Sequence, residues 1–434
     1  MNFKDTEIGR IPFEWDVRMI QDVAEVVSGA TPKTKVAEYW DGNIAWITPK
    51  DLSNHTERYI YRGDRMITDE GLKNSSAKLL PKGSVLFSSR APIGYTAIAA
   101  QELCTNQGFK SMICNQQILD NNFMFYMMNY KKNEIENIAG GSTFKEVSGK
   151  TVKEFKIPIP PLDEQKAIAK VLSDLAEKIE TNNKINKKLE EMAQAIFKQW
   201  FVDFEFPNED GKPYKSSGGE MSESEQGMIP KGWEYKKLDD VLNTIEAGNR
   251  PKGGAGNLTE GIPSIGAENI IGLGKYDYSK EKFVTEDYFN SMKKGIVQSK
   301  DVLLYKDGAQ LGRKTMFMDG FPHEKCCINS HVFILRSNNS ISQSYLYFWL
   351  DQDYMTQNII NLNANSAQPG INQIQVKSLN ILVPTKEIIE KFELTVNSLL
   401  DKLFVNCKEN TKLANIRDTL LPKLMSGEIR VPLD

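Results

Sequence analysis

Apolar and polar residues follow two different periods along this chain, and both periods recur in the same order in each half. Short apolar runs, such as SVLFSS at residues 84–89 and HVFILR at residues 331–336, lie between glycine, proline and asparagine residues and predict β-strands. Segments with helical periodicity follow, at residues 121–139 and 343–362. Each half is therefore predicted to begin with a mixed α and β domain.

A seven-residue apolar repeat predicts one long helix at the end of each half. The first helix is expected to start after the proline-rich segment IPIPP at residues 157–161 and to run to about Phe204. The second is expected to start after VPT at residues 383–385 and to run to about Met425. About 40 residues of helix span roughly 60 Å, because each residue adds about 1.5 Å.

Asparagine interrupts the apolar repeat at two matching places in each helix. These residues are Asn182 and Asn186 in the first helix and Asn406 and Asn410 in the second. Two unrelated amphipathic helices would not be expected to share both interruptions. A buried asparagine fixes the register of paired helices at some cost in stability. We therefore predict that the two helices pair and that these four residues set their register.

Short motifs recur in the same order in the two halves, which indicates an internal duplication. The matching pairs are IPFEW (11–15) with IPKGW (229–233), GATPK (29–33) with GNRPK (248–252), SVLFSS (84–89) with DVLLYK (301–306), and VKEFKIPIP (152–160) with VKSLNILVP (376–384). The duplication divides the chain into five predicted segments. They are a first mixed domain at 1–160, a first long helix at 161–206, a polar linker at 207–227, a second mixed domain at 228–384, and a second long helix with the C-terminal tail at 385–434.

Composition agrees with a soluble protein of more than one domain. The chain has 434 residues, of which 40% are hydrophobic and 26% are charged. No apolar run is long enough to span a bilayer and the N-terminus lacks a signal-peptide pattern, so we expect a cytoplasmic protein. The net charge of −3 does not by itself favour a nucleic-acid partner. Three histidines and no Cys-x-x-Cys spacing argue against a zinc site.

Motifs for catalysis are incomplete in this chain. SGKT at residues 148–151 resembles the end of a phosphate-binding loop, but Phe144 stands where that loop needs a glycine. The sequence contains no G-x-S-x-G nucleophile motif and no Asn-Pro-Pro-aromatic motif of the amino-methyltransferases. We therefore expect no catalytic residue, no metal and no cofactor in this chain.

Several longer motifs together resemble the specificity subunits of type I restriction-modification systems, and the resemblance covers essentially the whole chain. The most specific motifs are IPFEWDV (11–17), SSRAPIGY (88–95), TNQGFKS (105–111), WFVDFEFPNEDGKPYKSSGGEM (200–221), IPKGWEY (229–235) and IRDTLLPKLMSGEIRV (416–431). The second half has YKDGAQLG (305–312) where the first half has SSRAPIG. Such a departure is expected if the two halves read different sequences.

The resemblance implies an α+β fold, with two mixed target recognition domains joined by two long antiparallel coiled-coil helices with pseudo-two-fold symmetry. It also implies that each recognition domain reads one half of a bipartite target in double-stranded DNA. The helices would set the spacer and hold two modification subunits, which carry S-adenosylmethionine and methylate adenine at N6. The resemblance also implies that ATP-dependent restriction subunits can join such a complex, and no membrane partner is implied.

Candidate DNA contacts are the basic and polar residues near the recurring loop motifs, because Lys and Arg suit phosphates or guanine edges while Asn and Gln suit adenine. In the first half they are Lys33, Lys35, Lys50, Ser89, Arg90, Asn106, Gln107 and Lys110. In the second half they are Arg250, Lys252, Asn269, Lys306, Gln310, Arg313, Asn329 and His331. A solvated loop lysine or a turn-stabilising asparagine would look the same in the sequence.

Three other functions fit parts of the sequence. One is a single-chain DNA methyltransferase, which the missing cofactor motifs oppose. Another is a structural coiled-coil scaffold, which sequence-specific DNA binding by the complex would exclude. The third is a carbohydrate or peptide binder built on duplicated β domains, and only the family resemblance opposes it.

Overall fold

The structure is a computed structural model, and it describes residues 2–53, 55–140, 145–251, 258–363 and 369–433. The chain forms two compact units. The first unit consists of residues 1–180 and 412–434, and the second unit consists of residues 181–411. Each unit therefore combines a mixed α and β region with parts of both long helices.

The first unit contains short strands and helices that precede one long helix. Its strands are β1 (Phe3–Thr6), β2 (Gly9–Pro12), β3 (Asp16–Met19), β4 (Ala24–Ser28), β5 (Trp40–Ile47), β6 (Tyr59–Ile60), β7 (Arg65–Ile67), β8 (Val85–Ser89), β9 (Ile93–Ala99), β10 (Leu103–Thr105), β11 (Lys110–Cys114) and β12 (Lys156–Ile159). Its short helices are α1 (Ile20–Val23), α2 (Pro49–Ser53), α3 (Asp69–Lys73), α4 (Asn121–Tyr130), α5 (Lys132–Asn137) and α6 (Gly149–Glu154), with a 3-10 turn at Ala37–Tyr39. The long helix α7 (Leu162–Phe201) starts in this unit.

A five-stranded sheet with the order β4-β11-β8-β9-β6 organises the core of the first unit. Strand β8 lies at its centre and all five of its residues are buried, including Ser88 and Ser89. It pairs antiparallel with both β9 and β11. Helix α4 contacts β9, and its first turn is capped by Asp120, which accepts a hydrogen bond from Phe123 N (2.9 Å). A second sheet has the order β10-β5-β7.

The second unit contains a similar series of elements. Its strands are β13 (Met221–Ser224), β14 (Gly227–Pro230), β15 (Glu234–Lys237), β16 (Leu242–Ala247), β17 (Ile262–Ile265), β18 (Phe283–Val284), β19 (Val302–Tyr305), β20 (Lys314–Met316), β21 (Cys327–Ile328), β22 (Val332–Ser337) and β23 (Asn380–Val383). Its helices are α8 (Leu238–Val241), α9 (Glu286–Ser291), α10 (Gln343–Asp351), α11 (Asp353–Asn361), α12 (Gln373–Lys377) and most of α13 (Lys386–Met425), with 3-10 turns at Ala267–Asn269 and Tyr278–Lys280. The sheets have the orders β16-β22-β19-β20 and β18-β17-β21.

The two units repeat the same local arrangements, as the sequence duplication predicts. Hairpin β1-β2 corresponds to hairpin β13-β14, and the pair β3-β12 corresponds to the pair β15-β23. Even single hydrogen bonds recur. Thr6 Oγ1 donates to Gly9 O at 2.6 Å, and Ser224 Oγ donates to Gly227 O at 2.6 Å. The duplication therefore extends to side-chain detail.

The two long helices pair antiparallel, as predicted. In the second unit the ring of Trp200, at the end of α7, lies 6.0 Å from that of Phe392, near the start of α13, while Asn182, near the middle of α7, contacts Asn410, past the middle of α13. Rising residue numbers in α7 thus meet falling numbers in α13. Helix α7 ends at Phe201, earlier than predicted, and Phe204 has a left-handed φ of 62° that a continuing helix does not allow.

The polar segment 207–227 lies mostly at the surface and is fixed to the second unit. Tyr214 and Trp233 stack on Phe206, with ring centroids 4.4 and 5.0 Å away. Asn208 N donates to Lys212 O at 2.9 Å, which closes the turn between them. The segment that looks like a linker in the sequence therefore has an ordered path.

Candidate functional site

Four chain segments of the first unit are joined by backbone hydrogen bonds. We call this arrangement the first junction, and it comprises residues 29–33, 89–92, 105–110 and 146–148. Ser89 N donates to Gly108 O (2.7 Å), Val147 N donates to Ser89 O (2.9 Å) and Ala30 N donates to Thr105 O (2.9 Å). A Cβ at Gly29 would lie 2.1 Å from the Asn106 carbonyl oxygen, so this close approach requires glycine. These hydrogen bonds and the close approach at Gly29 therefore fix the backbone of the first junction.

The second unit contains an equivalent arrangement. We call it the second junction, and it comprises residues 248–250, 306–308, 328–333 and 370–371. Lys306 N donates to His331 O (3.0 Å) and Ile371 N donates to Lys306 O (2.8 Å), matching the two bonds that Ser89 makes in the first junction. A Cβ at Gly248 would lie 1.9 Å from the Ile328 carbonyl oxygen. The two junctions therefore share these backbone hydrogen bonds and the close approach of a glycine, while the side chains around them differ.

The first junction places two cations around one carboxylate. Arg90 Nη1 lies 3.7 Å from Glu146 Oε2, and Lys110 Nζ lies 3.8 Å from Glu146 Oε1. The Arg90 side chain is 38% exposed, whereas that of Lys110 is 10% exposed. Burial lowers the pKa of Lys110 more than Glu146 raises it, and Arg90 lowers it further. Arg90 is therefore the more accessible cation of the pair.

The second junction holds a chain of four charged or titratable side chains. Arg250 Nη2 bonds to His331 Nε2, and His331 Nδ1 bonds to Asp307 Oδ1. Lys306 Nζ donates to Asp307 Oδ2 (2.8 Å) and lies 5.4 Å from the ring centroid of Phe333. Burial alone would raise the pKa of Asp307, but the hydrogen bonds from Lys306 and His331 hold it below its usual value. The four side chains therefore form one connected network.

The remaining predicted cations and amides occupy more open positions. Those classed as exposed are Lys33, Lys35, Lys50, Gln107, Gln310 and Arg313. Lys50 lies 3.5 Å from Asp64, and Gln107 Oε1 accepts a hydrogen bond from Thr31 Oγ1. Lys33 and Gln107 belong to the first junction, whereas Lys35 and Lys50 lie outside it. Lys252 lies outside the described residues.

Three of the predicted DNA contacts are buried and form hydrogen bonds with backbone groups. Ser89 is fully buried, and its hydroxyl donates to Gly108 O at 3.2 Å. Asn269 is 1% exposed, accepts from Gly266 N (2.8 Å) and donates to Asp277 O (3.0 Å). Asn329 is buried, and its Oδ1 accepts from His331 N at 2.8 Å. These three side chains support the backbone, and a direct role in contacting DNA stays a prediction for each.

Asn106 makes the same turn as Asn329 but is only half-buried. Its Oδ1 accepts from Gly108 N at 2.8 Å, which is the local turn that asparagine commonly stabilises. Asn106 therefore has a structural role in the first junction and stays a candidate contact only through its remaining polar atoms.

Sequence reasoning missed the two carboxylates of the junctions, Glu146 and Asp307. Neither belongs to a motif that separates it from an ordinary surface acid. Glu146 is distant in sequence from Arg90 and Lys110, and only the fold brings the three together. Asp307 had one available signal, because it follows the predicted contact Lys306 directly.

The structure brings the four seam asparagines together in two pairs. Asn182 Nδ2 donates to Asn410 Oδ1 (2.9 Å) and to Glu409 Oε2 (2.8 Å), and Asn406 Nδ2 donates to Asn186 Oδ1 (2.8 Å). Asn182 and Asn406 are each 1% exposed, and their Oδ1 atoms accept no hydrogen bond from the described residues. The pairing matches an antiparallel seam, while the role of these residues in setting the register stays a prediction.

Among the described residues, no group of three or more His, Cys, Asp or Glu side chains is arranged to hold a metal ion. Within the same residues, none of the helices combines the length and apolar character that crossing a membrane requires.

Comparisons with known proteins agree on one family. A family model described as the type I restriction modification DNA specificity domain matches residues 12–191 and 230–402. The chain is 36% identical to the MjaIX type I restriction enzyme specificity subunit of Methanocaldococcus jannaschii, over 99% of this chain and 96% of that protein. It is 25% identical to the HindI specificity subunit of Haemophilus influenzae, over 89% of this chain and 94% of that protein.

A solved structure also resembles the chain along most of its length. The crystal structure of a type I restriction-modification S subunit from M. genitalium covers 95% of this chain and 96% of its own, with a TM-score of 0.58. The sequence identity is 19%, so the likeness concerns the fold. The paired long helices and the two mixed domains are thus a shared architecture.

Proposed function

The chain belongs to the family of type I restriction-modification specificity subunits, and from this premise we propose that it selects a bipartite DNA target. Each recognition domain would read one half of that target in double-stranded DNA. The domains would be the mixed regions at 1–160 and 228–384, with the long helices at 161–206 and 385–434 and the segment 207–227 between the copies.

The observation that carries this proposal is the pair of equivalent junctions with different side chains. Both junctions have the same backbone hydrogen bonds, made by Ser89 in one and by Lys306 in the other. Arg90 with Glu146 in one junction is replaced by Arg250, His331 and Asp307 in the other. A fixed frame with variable polar side chains suits two readers of different base sequences, since base contacts carry the specificity.

We further propose that the paired helices set the spacer between the half-sites and hold two modification subunits. A helix pair with one register gives a fixed length, and half-site spacing then becomes a geometric property of the protein. The modification subunits would carry S-adenosylmethionine and methylate adenine at N6. Restriction subunits would join the same complex, which would work in the cytoplasm.

In this proposal the chain contributes recognition and no catalytic residue. The net charge of −3 is compatible with DNA binding if the modification subunits share in neutralising the phosphates. The alternatives, a single-chain methyltransferase and a structural scaffold, predict different results in a reconstituted system.

The test is methylation of random-sequence DNA by the modification subunits with and without this chain. We expect N6-methyladenine in one bipartite sequence when the full complex is present, and no methylation by this chain alone. Methylation by the isolated chain would favour the single-chain enzyme. Methylation by the complex without sequence preference would favour the scaffold.

A further inference from the structure

We infer that each junction reads one guanine with a positioned arginine, Arg90 in the first junction and Arg250 in the second. The inference rests on the proposed DNA-reading function and names the base that each junction recognises. It also assigns the two arginines to different chain segments. The guanine would therefore occupy a different place, relative to the common backbone frame, in each half-site.

Arg90 is positioned by the segment that carries Glu146. The two residues form an antiparallel backbone bridge, and the guanidinium lies 3.7 Å from the carboxylate. Backbone and side chain thus both tie Arg90 to Glu146. A guanidinium has five N–H donors, so one carboxylate contact leaves donors for a ligand. The side chain is more than one-third exposed, so a ligand can reach it.

Arg250 is positioned by a relay that ends in a carboxylate. Arginine can only donate, so His331 Nε2 must accept its hydrogen bond. The proton of the neutral imidazole then lies on Nδ1, which donates to Asp307 Oδ1. The second oxygen of Asp307 accepts from Lys306 Nζ at 2.8 Å. His331 therefore holds the exposed Arg250 and is itself held by Asp307.

The equivalent positions in the other junction carry different groups. At the position of Arg250 the first junction has Thr31, which donates to Gln107. At the position of Arg90 the second junction has Asp307. Each junction therefore contains a single arginine, and the duplication has not placed the two arginines on the same segment.

In the first junction Glu146 favours a base edge over a phosphate as the ligand of Arg90, because its carboxylate lies beside the guanidinium and repels an anion. In the second junction Arg250 is bonded to the ring of His331, and Asp307 lies beyond that ring. The guanine edge presents the neutral acceptors O6 and N7, which a guanidinium contacts with two parallel N–H donors. In the first junction Glu146 could also accept from the N4 amino group of the paired cytosine. Holding the guanidinium in place before binding also lowers the entropic cost of recognition.

The test compares Arg90→Lys and Arg250→Lys in the reconstituted complex. Lysine keeps the charge but loses the planar fork that contacts O6 and N7 together. Binding and methylation would be measured on the preferred target and on every single-base-pair variant of it. We expect Arg90→Lys and Arg250→Lys each to reduce discrimination at one G·C pair by roughly 5- to 150-fold. The two affected base pairs should lie in opposite halves of the target. Binding to non-specific DNA should stay close to that of the unaltered complex.

Lys35→Ala is the matched control for a purely electrostatic contact. Lys35 is exposed and has no ion pair among the described residues. Its removal should weaken all sequences equally and reduce the salt dependence of binding. Should Arg90→Lys and Arg250→Lys behave in the same uniform way, or leave discrimination unchanged, the guanine assignment is overturned.

Glu146→Gln gives a second test, since freeing Arg90 should reduce discrimination only in the half that Arg90→Lys affects. A complex with no sequence preference before any substitution would instead refute the proposed function.

Discussion

At the scale of single residues, the tryptophan of the repeated motifs IPFEW and IPKGW is held by different chemistry in the two units. Trp15 is fully buried, and its Nε1 donates to Glu164 at 3.0 Å. Arg430, near the C-terminus, donates through Nε and Nη2 to the same carboxylate. Trp233, the counterpart of Trp15, stacks on Phe206 instead. The equivalent tryptophan is therefore fixed by a hydrogen bond to an ion-paired carboxylate in the first unit and by an aromatic ring in the second.

The ion pair at Glu164 gives a stability prediction. Arg430→Met should lower the free energy of unfolding of the first unit by about 2–4 kcal/mol, because it leaves a carboxylate that is 1% exposed without its cation. Arg18→Met is the matched control, because Arg18 forms a solvent-exposed ion pair with Asp16. This substitution should change the free energy of unfolding by less than about 0.5 kcal/mol. Denaturant unfolding followed by tryptophan fluorescence measures both. Equal effects of the two substitutions would contradict the assigned role of Arg430.

At the scale of elements, the helix pair combines an apolar seam with a polar centre. Trp200 and Phe392 are buried in the seam, and Asn182 and Asn406 are the buried polar residues near its middle. Each buried asparagine donates to a half-buried asparagine of the opposite helix. Their carbonyl oxygens gain no partner among the described residues. These two buried oxygens therefore lower the stability of the helix pair, which is consistent with a role of the asparagines in specifying one register.

Two double substitutions distinguish the two buried asparagines from the two half-buried ones. Asn182→Leu with Asn406→Leu should raise the free energy of unfolding by about 1–2 kcal/mol, because it removes two buried oxygens that lack partners. Asn186→Leu with Asn410→Leu should lower it, because it removes the only acceptor that Asn406 has among the described residues. Thermal and denaturant unfolding give the order of the two variants. The reverse order would refute this account of the polar centre.

An insertion tests the helices as the spacer. Seven residues inserted near Lys184 lengthen α7 by roughly 10 Å, or about three base pairs, while keeping the heptad phase. The antiparallel partner is not lengthened, so we expect lost activity or a longer gap between the half-sites. A matching second insertion near Lys408 should restore pairing and give a gap about three base pairs longer. Methylation at the original spacing with full activity would count against the helices as the spacer.

At the scale of the whole molecule, duplication explains what could be predicted from the sequence. The long helices, the antiparallel pairing and the two mixed domains follow from the apolar periodicities and from a family resemblance that several motifs carry together. The candidate site was harder to predict. Ser89 ends a predicted strand, and Asn269 and Asn329 look like polar loop residues, but all three side chains are buried and form hydrogen bonds with backbone groups. Glu146 could not be identified from the sequence, because only the fold brings it close to Arg90.

The most direct test of the central claim is to exchange one recognition domain and read the methylated sequence. Residues up to about Phe155 would be replaced by the corresponding domain of another family member, with the second domain and both long helices retained. Sequencing of N6-methyladenine in DNA treated with the reconstituted complex gives the target. We predict that one half of the target changes while the other half and the spacer stay the same. A change in both halves, or in neither, would contradict two independent readers in one chain.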